Sequence, residues 1–412
     1  MQPAATLRSA ASANNGVFVL LVVSIAINYL DRGALSVAAP NVSTAFALSP
    51  VQMGLLFSAF FWSYSVFQLV AGWIVDRYPV RWVYAGGFFL WSIATALTGV
   101  AQSFYLLLAS RLLLGVGESV AYPACSKFLA QNVPETRRGL ANAWIDAASK
   151  LGPGITILAG GLLVSLLGWR ALFLGGGLLS LLWLIPWISW TRGDEASPSL
   201  QAGRSPRWSD LLRRREPWGT SLGMFSLGYA WYFLISWLPS YLVTQRGLSM
   251  NTMAVFGSVP FWVMAASSVF FGWTSDRRIR AGADAAQVRR RYVVLGLVLC
   301  ALTIVPAALV HDNTVSILLI SAACFVLGLF TSNVWAATQT LAGPVMSGKW
   351  TGMQNAIGNL GGVVSPLVTG WIVQQTRSFN LAFVVAAVVL IAGALVYFVL
   401  VPEVRALDWA TE

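Results

Sequence analysis

Long apolar runs recur along the whole chain, separated by short polar or charged segments. They cover residues 17–39, 51–75, 82–101, 104–128, 140–167, 169–190, 218–243, 253–274, 292–310, 315–342, 353–373 and 381–401. Each reaches the roughly 20 helical residues that a hydrocarbon core requires. Backbone polar groups in lipid must be satisfied within the segment, and runs of this length suit helices rather than short barrel strands. The pattern predicts an all-α membrane protein with twelve transmembrane helices.

Composition agrees with that pattern. Of the 412 residues, 57% are hydrophobic and 10% are charged, too few ionisable groups to solvate a soluble surface of this size. The formal charge of +11 raises the question of nucleic acid, and the location of the charge answers it. Arg77 and Arg81, Arg137 and Arg138, Arg213 to Arg215, Arg277 to Arg280 and Arg289 to Arg291 fall in alternate loops, whereas the opposite loops offer Arg170, Arg246 and Arg377. This asymmetry is the positive-inside pattern. It places both termini and the long central loop in the cytoplasm and removes the reason to expect a nucleic-acid partner.

Asp31 and Arg32 interrupt the first run and eleven more runs follow, which does not fit a cleaved signal peptide. Cys125, Cys300 and Cys324 lie inside apolar runs without paired spacing and read as small buried hydrophobes. His311, beside Asp312, reads as a solvated loop residue. No triad, metal-ligand cluster or phosphate-cradling glycine loop stands at suitable spacing, so neither an enzyme nor a cofactor is expected.

The chain repeats itself. Gly72-Trp73-Ile74-Val75-Asp76-Arg77 closes the second run, and two hundred positions on Gly272-Trp273-Thr274-Ser275-Asp276-Arg277 closes the eighth. At an offset of about 213, Gly139 pairs with Gly352, Asn142 with Asn355, Ala143 with Ala356 and Pro153 with Pro366. The repeat predicts two pseudo-symmetric six-helix bundles, residues 1–191 and 217–412, joined by a cytoplasmic linker at 192–216 that is rich in Arg, Ser and Pro.

Six plus six spans, a Gly-x-x-x-Asp-Arg turn after spans two and eight, and Pro-Glu-Thr-Arg-Arg-Gly at 134–139 resemble the major facilitator superfamily over nearly the full chain. Three motifs resemble its anion:cation symporter branch, which includes sialin and the galactonate and glucarate carriers. They are Asn28-Tyr29-Leu30-Asp31-Arg32, the Arg111 to Glu118 stretch, and Trp237-Leu238-Pro239-Ser240-Tyr241-Leu242. The resemblance implies a secondary active transporter of the major facilitator fold in the bacterial inner membrane. It implies proton-coupled symport of a small organic anion, with membrane lipid as surroundings and a monomer as the working unit. By the same resemblance, Asp76 and Arg77 form a cytoplasmic latch that gates the cycle, and Tyr29 and Tyr64 contact substrate.

The residues also speak for themselves. Asp31, Arg32, Arg111, Glu118, Asp146 and Lys150 are ionisable side chains inside apolar runs, each costing at least ~2.5 kcal/mol at membrane depth. All six lie in the first half, where Arg111, Glu118 and Asp146 correspond to Cys324, Thr331 and Asn359 of the repeat. Rise along the helices puts Asp31 level with Arg111, so that these two could pair, and puts Glu118 near the level of Lys150. Asp146 and Lys150 are four apart and fit a pair along their own helix. They have two readings, a private ion pair or a mark of substrate preference.

Desolvation favours a protonated carboxyl group and a neighbouring guanidinium favours the ionised one. A carboxylate whose arginine another anion can take is therefore a proton site that senses substrate. On this basis Asp31 and Glu118 are expected to carry protons, with Arg111 as the switchable partner. Arg32 presents a planar fork to a carboxylate, Lys150 is a second cation for it, and Asn355 and Asn359 complete the substrate site from the second half. Two other functions fit parts of the sequence. Gly152-Pro153-Gly154 hints at a proton-driven exporter, although Ile155 and Thr156 stand where that motif has glycines. A sensor that binds the anion without moving it would be favoured by a soluble signalling domain, which the chain does not show.

Overall fold

The computed structural model describes residues 4–132, 135–191 and 208–409. Among these residues the ordered elements are helices, with no strand. Among the described residues, ten stretches are long and apolar enough to cross a membrane: Gly16–Phe46, Val80–Val100, Phe104–Cys125, Trp144–Leu167, Trp169–Trp190, Met250–Arg280, Ala285–Leu309, Asn313–Gly343, Lys349–Thr376 and Asn380–Leu400. The helices Pro50–Arg77 and Arg215–Ser240 supply the second and seventh spans and bring the count to the expected twelve. Span seven spends much of its length on Tyr, Trp and Ser, which lowers its hydropathy without shortening it.

Polar residues between the runs start the helices. The side chains of Ser103, Ser249, Asp284 and Asp312 accept hydrogen bonds from the free backbone N–H groups of Leu106, Thr252, Ala286 and Val315. Asp312 is thus the cap of span ten. Two breaks differ from the sequence expectation. Spans ten and eleven were expected to flank a loop after residue 342, yet helix continues on both sides of Gly343, whose φ of 61° and ψ of −178° turn the chain in one residue. In the linker region, residues 192–207 lie outside the described residues, while Trp208–Arg213 is a short helix and span seven already begins at Arg215.

Contacts divide the chain into two compact units, Met1–Leu48 with Leu55–Leu200, and Ser49–Gly54 with Gln201–Glu412. In the first unit, aromatic residues bind spans one, three and six together. Trp183 stacks on Phe88 at 4.2 Å and on Trp187 at 5.0 Å between ring centroids, and its indole N–H donates to the Leu20 carbonyl at 2.9 Å. These tryptophans are packing residues, each ring nitrogen satisfied as a buried aromatic requires. In the second unit a β-carbon built at Gly361 would lie 2.4 Å from the Tyr229 nitrogen. Spans seven and eleven therefore touch main chain to main chain, as small residues permit in membranes. Cys125, Cys300 and Cys324 are buried free thiols.

Candidate functional site

Span four bends where its acidic residue stands. Its first helical stretch ends at Glu118 and helix resumes at Ala121, because Pro123 has no N–H to offer the Ser119 carbonyl. Two glycines bring the backbone close just before the bend. A β-carbon at Gly115 would come 2.3 Å from the Phe60 carbonyl oxygen of span two, and one at Gly117 would come 2.6 Å from the Trp91 nitrogen of span three. Glu118 is thereby carried into the middle of the first unit, where it is fully buried.

Span one supplies the counter-charge, and span five fixes where it sits. Thr156, within a π-helical stretch over Thr156–Gly160, donates its hydroxyl proton to the Leu30 carbonyl at 3.0 Å. A β-carbon at Gly152 would come 2.5 Å from Cβ of Tyr29, so these two backbones also nearly touch. The stretch from Asn28 to Arg32 is held between these contacts, and wide turns of this kind commonly mark functional positions in helices.

Arg32 Nε donates to Glu118 Oε2 at 2.9 Å, with side-chain exposures of 5% and 0%. The guanidinium lies over three rings, with its carbon 4.5 Å from the centroid of Tyr29, 4.8 Å from that of Phe60 and 4.6 Å from that of Tyr64. Phe60 and Tyr64 stack on each other at 5.3 Å, and the Tyr122 hydroxyl donates to that of Tyr29 at 3.3 Å. The rings bind the cation by their quadrupoles and fix the plane of its fork. Asn28 adjoins Glu118, and Thr95 of span three adjoins Asp31.

Depth along the helices allowed Asp31 to pair with Arg111. The contact ion pair in this cluster instead joins Arg32 to Glu118, while Asp31 and Arg111 are electrostatic neighbours of each other and of Glu118. Helical rise fixes depth but not the direction in which a side chain points, and Arg32 is long enough to cross to span four. Asp31 Oδ2 and the Nε and Nη2 atoms of Arg111 are buried without a hydrogen-bond partner. The cluster thus holds two acids and two bases whose charges balance.

Of the other expected residues, some have partners of their own and some lie beyond description. Lys150 Nζ donates to Asp146 Oδ2, the intrahelical pair read from the spacing, with the Asp146 side chain 57% exposed. In the second unit, Asn359 is buried and accepts from the Tyr232 hydroxyl at 2.8 Å, and Asn355 is half-buried. Thr331, the counterpart of Glu118, shares a hydrogen bond with Ser268 at 2.8 Å. A hydroxyl pair there replaces the ion pair of the first unit. Asp76 and Arg77 end the helix of span two, and their side chains lie outside the described residues. Phe60 and Tyr122 were not singled out from sequence, although each stands four residues from a site residue, Tyr64 and Glu118 respectively.

Comparison with known proteins places this geometry. The family described as Major Facilitator Superfamily matches residues 21–343 and 283–412. A protein named a probable L-galactonate transporter, from Escherichia coli strain K12, is 30% identical over 93% of this chain and 88% of its own length. A probable sulfoacetate transporter of Cupriavidus necator is 30% identical over 90% and 89%, and a hexuronate transporter of Bacillus subtilis is 29% identical over 94% and 93%. Among solved structures, a bacterial homologue of the human lysosomal transporter Spinster matches with a TM-score of 0.83, covering 93% of this chain and 96% of that one at 19% identity. That likeness concerns the fold. The relatives' names are those of transporters, not of enzymes.

Proposed function

The chain belongs to the major facilitator superfamily, and on that premise we propose that it is a symporter that moves a small organic anion, a sugar acid or related carboxylate, together with protons. The observation that carries this reading is the buried Arg32–Glu118 pair. A guanidinium presented edge-on between three rings suits a carboxylate, which takes two parallel hydrogen bonds from it, and Glu118 occupies that edge. When the solute's carboxylate takes Arg32, Glu118 loses its counter-charge in a dry setting. An unpaired buried carboxylate is expensive, so Glu118 binds a proton. Charge balance gives the same answer. The four charged groups sum to zero, and one added anion with one added proton preserves that sum.

Asp31 and Arg111 form the second proton-linked couple, with Asp31 as a carrier and Arg111 as its partner. Tyr29 and Tyr64 orient Arg32 and line the place of the carboxylate, and Lys150, Asn355 and Asn359 donate to the polar remainder of the solute. The relatives are named for L-galactonate, sulfoacetate and hexuronate, which are all acid anions, and this supports the solute class. Residues 1–191 and 217–412 act as the two bundles with 192–216 as their linker. The protein resides in the bacterial inner membrane as a monomer with both termini in the cytoplasm. Asp76 and Arg77 govern the conformational cycle, so Asp76→Asn slows turnover more than it weakens binding.

The test is uptake by proteoliposomes of a panel of hexonates, hexuronates and sulfonated acids, with and without an inward proton gradient. Accumulation of an anion above its external concentration with the gradient and not without it is the expected result. Binding without flux for every member of the panel, or accumulation indifferent to the gradient, overturns the reading.

A further inference from the structure

The second unit carries a groove of about 850 Å³ between spans nine and twelve, lined by Arg290, Arg291, Val294, Leu295, Phe398 and Glu403 among others. It lies at the end of the unit where the basic residues gather, including Arg277, Arg278 and Arg280 at the end of span eight. We propose that this groove holds the headgroup of an anionic phospholipid whose acyl chains lie along spans nine and twelve.

The polar end of the groove is built for an anion. Arg290 Nη2 donates to the Phe398 carbonyl at 2.8 Å and its guanidinium lies 4.2 Å over the Phe398 ring, which holds the fork in place. Its Nε is buried without a hydrogen-bond partner. Arg291 is exposed beside it, and the guanidinium of Arg278 lies 5.6 Å over the ring of Tyr292, the next residue. The nearby acids are already engaged. Glu403 pairs with Arg405 at 2.8 Å, and Asp284 caps the Ala286 nitrogen. Basic pockets between spans on the positive side of a membrane are suited to acidic headgroups.

The apolar end decides between a lipid and a soluble anion. Arg291, Leu295, Leu299 and Leu302 follow the spacing of one helix face, and the three leucines are exposed. Span twelve runs antiparallel and presents Leu395 and Val388, each at least 60% exposed, on the membrane side of Phe398. A free phosphate has no use for two uncovered apolar stripes leading from its site, whereas acyl chains cover both. The groove lies within the second unit, and the proposal does not depend on which solute is carried.

Native mass spectrometry of the full-length detergent-purified protein tests this, using phosphatidylglycerol and phosphatidylcholine of matched acyl chains, and inorganic phosphate as competitor. The wild-type protein is expected to retain phosphatidylglycerol at least about tenfold more than phosphatidylcholine, since Arg290 and Arg291 both favour an anionic headgroup. Arg291→Glu, which leaves the Arg290 anchor in place, and the double change Arg290→Gln with Arg291→Gln are each expected to bring the two lipids to near-equal retention. Equal retention by the wild type, or a preference unchanged in Arg291→Glu, overturns the proposal. So does displacement of the lipid by inorganic phosphate at the same concentration, which would assign the groove to a soluble anion.

Discussion

Arg32 and Glu118 meet across 86 positions of chain at 2.9 Å, one from span one and the other from the bend in span four, and both are buried. A pair so placed is poor value as a brace. Burying two charges commonly costs as much as their attraction returns, and an apolar pair of the same volume is often as stable. On the proposed mechanism its use lies in being exchangeable, with another carboxylate taking Arg32 and a proton taking Glu118.

Substitution of Arg32 separates charge from geometry. Arg32→Ala leaves Glu118 buried without its hydrogen-bonded counter-charge and is expected to destabilise the protein by ~3–5 kcal/mol, read as a lowered melting temperature in detergent. Arg32→Lys keeps the charge but loses the planar fork and its ring contacts. It should remain folded with apparent affinity for the anion reduced by about tenfold or more, taking ~1.4 kcal/mol as one decade. Unchanged affinity in Arg32→Lys would place the carboxylate elsewhere.

Removing both acids removes coupling without removing the path. The double change Asp31→Asn with Glu118→Gln should abolish accumulation driven by a proton gradient while preserving exchange of labelled for unlabelled solute across liposomes. Gradient-driven accumulation that persists in the double variant contradicts the assignment of either residue as proton carrier.

Gly115 positions the site through close approach. Its substitution by Ala places a carbon 2.3 Å from the Phe60 carbonyl oxygen and 2.9 Å from the Tyr64 nitrogen, so spans two and four must separate. Overpacking of this kind costs ~1–3 kcal/mol. Because Phe60 and Tyr64 hold Arg32, a weaker anion affinity should accompany the lower melting temperature. Full affinity in a destabilised Gly115→Ala variant would uncouple the rings from binding.

Lys150 is a weaker candidate than Arg32 because its pair is local to one helix and half open to solvent, whereas Arg32 meets a fully buried acid on another span. Exposed pairs of this spacing contribute only ~0.3–0.5 kcal/mol. Lys150→Gln should therefore leave the melting temperature nearly unchanged and raise the apparent Michaelis constant less than Arg32→Lys does. A larger effect from Lys150→Gln would make Lys150 the principal carboxylate ligand.

Much of the fold was legible because lipid allows so few alternatives. Apolar runs of span length must be helices, and the repeated Gly-Trp-x-x-Asp-Arg turns located the internal copy. The charged cluster was legible for the same reason, since ionisable groups inside such runs are conspicuous. Its wiring was not. Depth comes from counting residues, but the direction of Arg32 depends on the rings of Phe60 and Tyr64 and on how close Gly115 lets span two approach, which are tertiary facts. Thr156 illustrates the limit further: in sequence it departed from an exporter motif, whereas in the structure its hydroxyl ties span five to the Leu30 carbonyl. The turn at Gly343 was likewise hidden, because a single left-handed glycine leaves no polar loop to read.

Proton uptake on anion binding tests the central claim most directly. In a weakly buffered solution of the detergent-purified protein, a saturating amount of the anion identified by the uptake panel is added at the same pH. The wild-type protein should take up protons from the medium and raise its pH, because Glu118 is protonated as Arg32 changes partner, and Glu118→Gln should bind the anion with a clearly smaller uptake. Binding with no proton uptake in the wild type, or equal uptake in Glu118→Gln, would contradict the exchange at Arg32.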